Sequence, residues 1–234
     1  MKTNTYKVLA IGAHPDDLEI SCAGALAKWS KEGASITMVV VSNGELSSSN
    51  NALVGKMDTI RIKEFYSSAK IIKAQALRLN MNDGLILDNQ ESRSVFINLF
   101  EKVRPDIVIT HYPGDDHPDH QAVNSLVCSS VVIAQAKSHF AGWKIKKVYF
   151  MDSLGSINFY PNVYIDVTSE IFVKKKMLCG HSSQIKVMEK KYKVDLWDIV
   201  EVTARFRGIQ SNVQYAEAFL EFKSWRRNRV IDGP

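Results

Sequence analysis

Three short, unbroken apolar runs constrain this chain more than any other feature: Val8 to Gly12, Ile36 to Val41 and Ile107 to Thr110. Runs of this length without polar alternation suit strands buried on both faces, the pattern of parallel sheets. Between them lie segments with helical spacing. Leu18 to Lys31 carries Ala23, Leu26 and Ala27, with Gly33 placed to end that helix. Met57 to Ile72 turns Ile62, Phe65, Tyr66 and Ala69 inward, Val95, Leu99, Phe100 and Val103 mark a further helix ahead of Pro105, and Gln121 to Ala136 makes another. A short strand near Ala76 to Leu79 leads to an Asn82-Asp83-Gly84 turn, Lys147 to Met151 returns as a strand, and Val163 to Val167 precedes a helix that Thr168 would cap. Strand, helix, strand repeated in this way predicts an α/β, Rossmann-like fold, a mainly parallel sheet with helices on both faces. No linker, repeat or low-complexity seam divides residues 1–234, so one domain is expected.

Two phrases follow directly on predicted strands: His14-Pro15-Asp16-Asp17 and His117-Pro118-Asp119-His120. Carboxyl ends of parallel strands line one edge of such a sheet, where ligands bind. Clusters a hundred residues apart can therefore converge on one ion. Catalytic zinc takes about three His or carboxylate ligands and keeps a position for water. His14 and Asp17, three apart at a strand-to-helix junction, would supply two ligands and His120 the third. Asp16 then remains beside the metal, where it can take a proton from water as general base. His117, as an imidazolium, would donate to the oxyanion of a tetrahedral intermediate, oriented by Asp119 or Asp116. His111 reads as a supporting group or a core histidine, and His139 as surface.

The remaining features are less pointed. Three widely spaced cysteines, Cys22, Cys128 and Cys179, argue against a disulfide framework or a thiolate zinc site and read as small buried hydrophobes. The polar, Ser- and Asn-rich stretch Ser42 to Gly55 reads as an active-site loop or local disorder. The N-terminus lacks a secretory pattern and no apolar run approaches a bilayer span, so a cytoplasmic protein without integral membrane segments is expected. The net charge of +5 is concentrated partly in Lys223 to Arg229, and that tail reads as a solvated terminus packing on a neighbouring subunit ahead of a nucleic-acid or anionic-membrane contact. No nucleic-acid motif accompanies it.

With these residues in view, the chain resembles the LmbE/PIG-L family of zinc-dependent N-deacetylases, over nearly its whole length. Ala13-His14-Pro15-Asp16-Asp17-Leu18-Glu19 matches the family's first motif, and His111 through His117-Pro118-Asp119-His120 the second. Asn43-Gly44-Glu45 and Arg61-x-x-Glu64 are similar to its sugar-binding segment, His181-x-Ser183-Gln184 and Tyr215-Ala216-Glu217-Ala218-Phe219 to its later motifs. Leu46 to Val54 lacks the Gly-Thr/Ser-Arg element of many members. The resemblance implies His14, Asp17 and His120 as zinc ligands, Asp16 as base, His117 held by Asp119 at the intermediate, and Arg61 on substrate hydroxyls. It implies a small amino-sugar conjugate of the N-acetylglucosamine type as substrate, and zinc, or ferrous iron in the cell, as cofactor. A homo-oligomer fits too, since hexamers are frequent in such families. For Arg61 the competing reading is a surface charge paired with Glu64 or Asp58. Glu217 would either tether the C-terminal segment near the pocket or face solvent, and Asp83 and Gly84 read first as a turn and second as pocket wall. Two rivals stand beside the hydrolase: a receiver-like phospho-acceptor domain, for which Thr110-His111 stands where an acceptor Asp is wanted, and a non-catalytic sugar-binding protein on the same fold.

Overall fold

A computed structural model describes residues 6–47, 54–136 and 143–223. Its strands are β1 (Lys7–Gly12), β2 (Ser35–Ser42), β3 (Gln75–Met81), β4 (Ile107–His111), β5 (Lys147–Met151), β6 (Val163–Asp166) and β7 (Ala216–Glu221). All seven join one sheet in the order β3-β2-β1-β4-β5-β7-β6. The first five pair in parallel, while β7 runs antiparallel to both β5 and β6. The order reverses between β1 and β4, the point at which an open α/β sheet presents a crevice beyond its strand ends.

The unbroken apolar runs have the expected cause. In β1 the side chains of Val8 and Ala10 enter one core with Leu18, Leu26, Ile62, Phe65 and Met177, while Leu9 and Ile11 enter a second with Phe96, Phe100, Val123 and Leu126. The helices follow that division. α1 (Asp17–Ser21), α2 (Ala23–Lys31), α3 (Val54–Ile71) and α6 (Ile171–Cys179) cover the first face; α4 (Gln90–Val103) and α5 (Pro118–Ala136) cover the other. α7 (Ser182–Tyr192) and α8 (Leu196–Gln210) build a smaller cluster with α6 around Leu178, Trp197 and Val200. Among the described residues no helix is long and apolar enough to cross a membrane.

Four local expectations need correction. The helix expected over Leu18 to Lys31 breaks at Cys22 (φ −144°), because the Glu217 carboxylate accepts the Gly24 and Ala25 N–H groups at 2.8 and 2.7 Å and starts a new helix there. Glu217 thus tethers β7 to the first helices, and it is buried together with Lys174, whose Nζ lies 2.6 Å away. Thr168 opens a short 3-10 turn instead of capping a helix; its hydroxyl accepts the Tyr215 N–H at 3.1 Å. Tyr66 is exposed on α3, and Cys179, unlike buried Cys22, faces solvent. His139, most of the 46–54 loop and nearly all of the basic tail lie outside the described residues.

Candidate active site

The segment after β1 turns sharply before α1 begins. Asp16 takes a left-handed conformation (φ 111°, ψ −23°) at the helix start, a strained backbone of the kind that collects at functional sites. The Asp17 carboxylate turns back to accept the His14 N–H at 2.7 Å. After β4 the chain makes a loop through Asp115 and enters α5 at Pro118, whose ring suits the first helical turn. The two ends meet at the reversal point. Asp17 Oδ1 lies 3.4 Å from His120 Nε2, and Asp17 Oδ2 lies 3.6 Å from His14 Nδ1. The His14 and His120 rings stand 5.4 Å apart, with His117 at 4.7 Å from each. His14, Asp17, His120, His117, Asp16 and Asp119 are therefore brought to one place.

Three overlapping groups have donor atoms close enough to hold a metal ion: His14, His117 and His120; Asp17, His111 and His120; His14, Asp83 and Asp119. A mixture of imidazole and carboxylate donors suits zinc or ferrous iron. The environment of Asp17 is consistent with that. Ala13 N–H occupies the lone pair of His111 Nε2 at 2.9 Å, so no ring proton stands between that nitrogen and Asp17 Oδ2, 3.1 Å away. Two acceptors this close in a buried site are a contact that a cation relieves.

The charges are set by burial against pairing. Burial opposes the cationic form of His14, but Asp119, Asp17 and Asp83 override it and hold its pKa well above the usual imidazole range. Likewise Asp17 and Asp115 overcome burial at His120 and raise it to about 9, whereas burial and the neighbouring His120 push His111 down to about 4. Asp16 differs from Asp17, Asp83, Asp115 and Asp119, which their histidine partners hold below the usual carboxylate range: burial and Asp17 push it up to about 6 although Arg61 opposes them. A carboxylate near that value is matched to proton exchange close to neutrality.

Several roles differ from expectation. Asp119 does not orient His117 through its carboxylate, which bonds His14 Nε2 at 3.1 Å and the Gly84 N–H at 2.7 Å. Its backbone N–H donates to His117 Nδ1 at 3.2 Å instead. That leaves Nε2 of His117 as its free donor, and burial with the charges of His14 and His120 lowers its pKa, against the imidazolium form expected from the sequence. Asp116 is exposed; the acid that braces the second cluster is Asp115, 3.0 Å from His120 Nδ1 and 2.9 Å from the His117 N–H. Arg61 is neither a surface charge nor paired with Glu64 or Asp58. It is buried, and its guanidinium donates to Asp16 Oδ1 (2.9 Å), Pro15 O (2.6 Å) and Gly44 O (2.8 Å).

Asp115 is the residue that sequence reasoning passed over, masked by its acidic neighbour, while Asp83, read first as part of a turn and second as pocket wall, lies against the site, 3.0 Å from His14 Nε2. His111, read as supporting or core, is fully buried behind Asp17 with its ring stacked on His120 at 3.8 Å.

Residues 9–131, more than half of the chain, match the PIG-L family, the GlcNAc-PI de-N-acetylases. The chain belongs to that family. It is similar to the diacetylchitobiose deacetylase of Thermococcus kodakarensis, 25% identical over 224 residues that span 90% of this chain and 81% of that one. Among solved structures, the N,N'-diacetylchitobiose deacetylase of Pyrococcus horikoshii superposes with a TM-score of 0.80 at 25% identity, covering 94% of this chain and 84% of the other. GalB, the 4-carboxy-2-hydroxymuconate hydratase of Pseudomonas putida, shares the fold with a TM-score of 0.80 at 22% identity, over 97% of this chain and all of that one. Both motif clusters lie within the matched span.

Proposed function

We propose that this protein hydrolyses the N-acetyl amide of an amino-sugar conjugate of the N-acetylglucosamine type, releasing acetate and a free amine. The observation that carries the reading is the convergence of His14, Asp17 and His120 at the sheet's reversal point, with Asp16 beside them and raised toward neutrality. The named activities of the diacetylchitobiose deacetylases support the substrate class. Zinc or ferrous iron, held by His14, Asp17 and His120, would supply the electrophile that polarises the acetyl carbonyl and acidifies water.

The protein's own groups perform the proton work. Asp16 takes a proton as the water oxygen bonds to the acetyl carbon, and Arg61 keeps its carboxylate aimed while leaving it able to accept. His117 Nε2–H donates to the developing oxyanion, its tautomer locked by the Asp119 N–H. The C–N bond then breaks as Asp16 returns the proton to the departing nitrogen. Acetate and amine balance the water consumed.

The deciding experiment is metal content of the wild type beside His120→Ala, followed by acetate release from N-acetyl amino sugars. About one tightly held ion per chain, reduced in the variant, together with acetate release, is the expected result. Metal binding with hydration of an unsaturated acid and no acetate would place the chain with the hydratase on this fold. Tight sugar binding without acetate would make it a non-catalytic binder, and two metal-free proteins would remove the hydrolase reading.

A further inference from the structure

Three residues of the motif segments are left without a task by this chemistry: Glu19 on α1, Glu64 on α3 and His181 ahead of α7. The structure joins them. Glu64 stands one turn after Arg61 on α3, on the same flank. While Arg61 reaches one way to Asp16, Glu64 reaches the other, to the start of α7. Its Oε1 accepts the Ser183 N–H and the Ser182 hydroxyl at 3.0 Å each, and its Oε2 accepts the Ser183 hydroxyl at 2.5 Å. His181, at the N-cap position of α7, has no capping bond of its own there, so a carboxylate from another helix supplies the missing acceptor.

That arrangement anchors the chain next to His181, which is fully buried and whose Nε2 makes an ion-pair contact of 3.2 Å, without hydrogen-bond alignment, with Oε1 of the equally buried Glu19. Glu19 lies on α1, three residues after Asp16. The path therefore closes: Asp16 to Arg61, along α3 to Glu64, across to Ser183 and His181, then to Glu19 and back along α1 to Asp16. We infer that Glu64, His181 and Glu19 are positioning residues that complete a closed polar frame holding Asp16 in its strained conformation. The inference rests on the reading of Asp16 as general base.

A closed frame has a physical purpose here. A left-handed, non-glycine conformation persists only when its surroundings over-determine it. Arg61 alone restrains the carboxylate from one side, and Arg61 itself belongs to a helix that could slide with it. Tying α3 to α7 and α7 back to α1 removes that freedom. No member of the three touches His14 or His120 in the described contacts, so loss of the frame should leave metal binding intact.

The test is a double-mutant cycle on acetate release. Glu64→Ala is expected to lower kcat by about tenfold with KM and metal content close to wild type, since small misplacement of a reacting group costs up to about a hundredfold. Glu64→Gln, whose amide oxygen can still accept the Ser183 N–H, should restore most of that rate. In the Asp16→Asn background Glu64→Ala should have no further effect on kcat, because the frame acts through Asp16. His181→Ala should behave as Glu64→Ala. An equal loss with and without the Asp16 carboxylate, or an unaltered kcat in Glu64→Ala, overturns the frame. An Asp16→Asn enzyme with full turnover overturns the base assignment instead, so the two failures are told apart.

Discussion

Asp119 presents its backbone N–H, and not its carboxylate, to His117: the N to Nδ1 distance is 3.2 Å, while the carboxylate braces His14 and the Gly84 N–H. One residue thus serves two histidines through two different groups. Substitution separates them. Asp119→Ala keeps the backbone donor, so the His117 tautomer survives, while His14 loses a partner. The expected outcome is metal affinity reduced by about 10–100-fold, with kcat at saturating metal much less affected. Titration with a competing chelator measures the first, and turnover at added zinc the second.

Asp16→Asn removes the proton acceptor but preserves shape and the Arg61 contact through its amide oxygen. Metal content should be retained while kcat falls by roughly a hundredfold or more. Elemental analysis together with acetate release checks both halves.

Gly44 has a positive φ of 64°, and a Cβ added there would meet Arg61 Nη1 at 1.9 Å. The guanidinium is clamped between three acceptors and has little room to retreat. Gly44→Ala should therefore displace Arg61 and depress kcat while metal content stays at the wild-type level. Turnover near wild type would show that Arg61 does not hold the base.

The Glu19–His181 pair makes stability pH-dependent. Burial works against the His181 cation, but Glu19, Asp16 and Glu64 outweigh it and raise the pKa above 6.5. A group whose folded pKa is raised stabilises fully below its unfolded pKa, and that contribution disappears as pH climbs through the folded value. The stability advantage of wild type over His181→Gln should thus be greatest below about pH 6.5 and shrink above it. Urea unfolding of both proteins across pH 5.5 to 9 reads the difference directly.

Glu217→Ala strands a buried ammonium and two helix-start N–H groups at once. With Lys174 1% and Glu217 4% exposed, removing one partner is expected to cost about 3–5 kcal/mol. Replacing both by apolar residues of similar volume should cost less, though the Gly24 and Ala25 N–H groups still lose their acceptor. Chemical denaturation of the single and double variants ranks them.

The parallel sheet and the convergence of the two His/Asp clusters were legible because both follow from local pattern. β-branched runs mark buried strands, and their carboxyl ends share an edge. What escaped was set by tertiary contact. Nothing near Cys22 announces a helix break, since its cause is Glu217 from the last strand. Arg61 stood between a contact to substrate hydroxyls and a helix surface charge, and its grip on Asp16 was not foreseen because burial by the Gly44 loop is not written in α3. The proton on His117 depended on which group of Asp119 faced it, and side-chain chemistry alone favours the carboxylate.

The acceptor that starts α2 comes from a residue 193 positions further along the chain than the N–H it receives. During synthesis the first His/Asp cluster is therefore made long before the strand that organises the helices behind it. Local contacts can shape β1 to β5 early, but α2 and α6 acquire their common anchor only when β7 inserts between β5 and β6. Assembly of the helices behind the reaction centre is in this sense a late event, coupled to insertion of the last strand, and a nascent chain that has not reached Glu217 carries the catalytic side chains without the anchor common to α2 and α6.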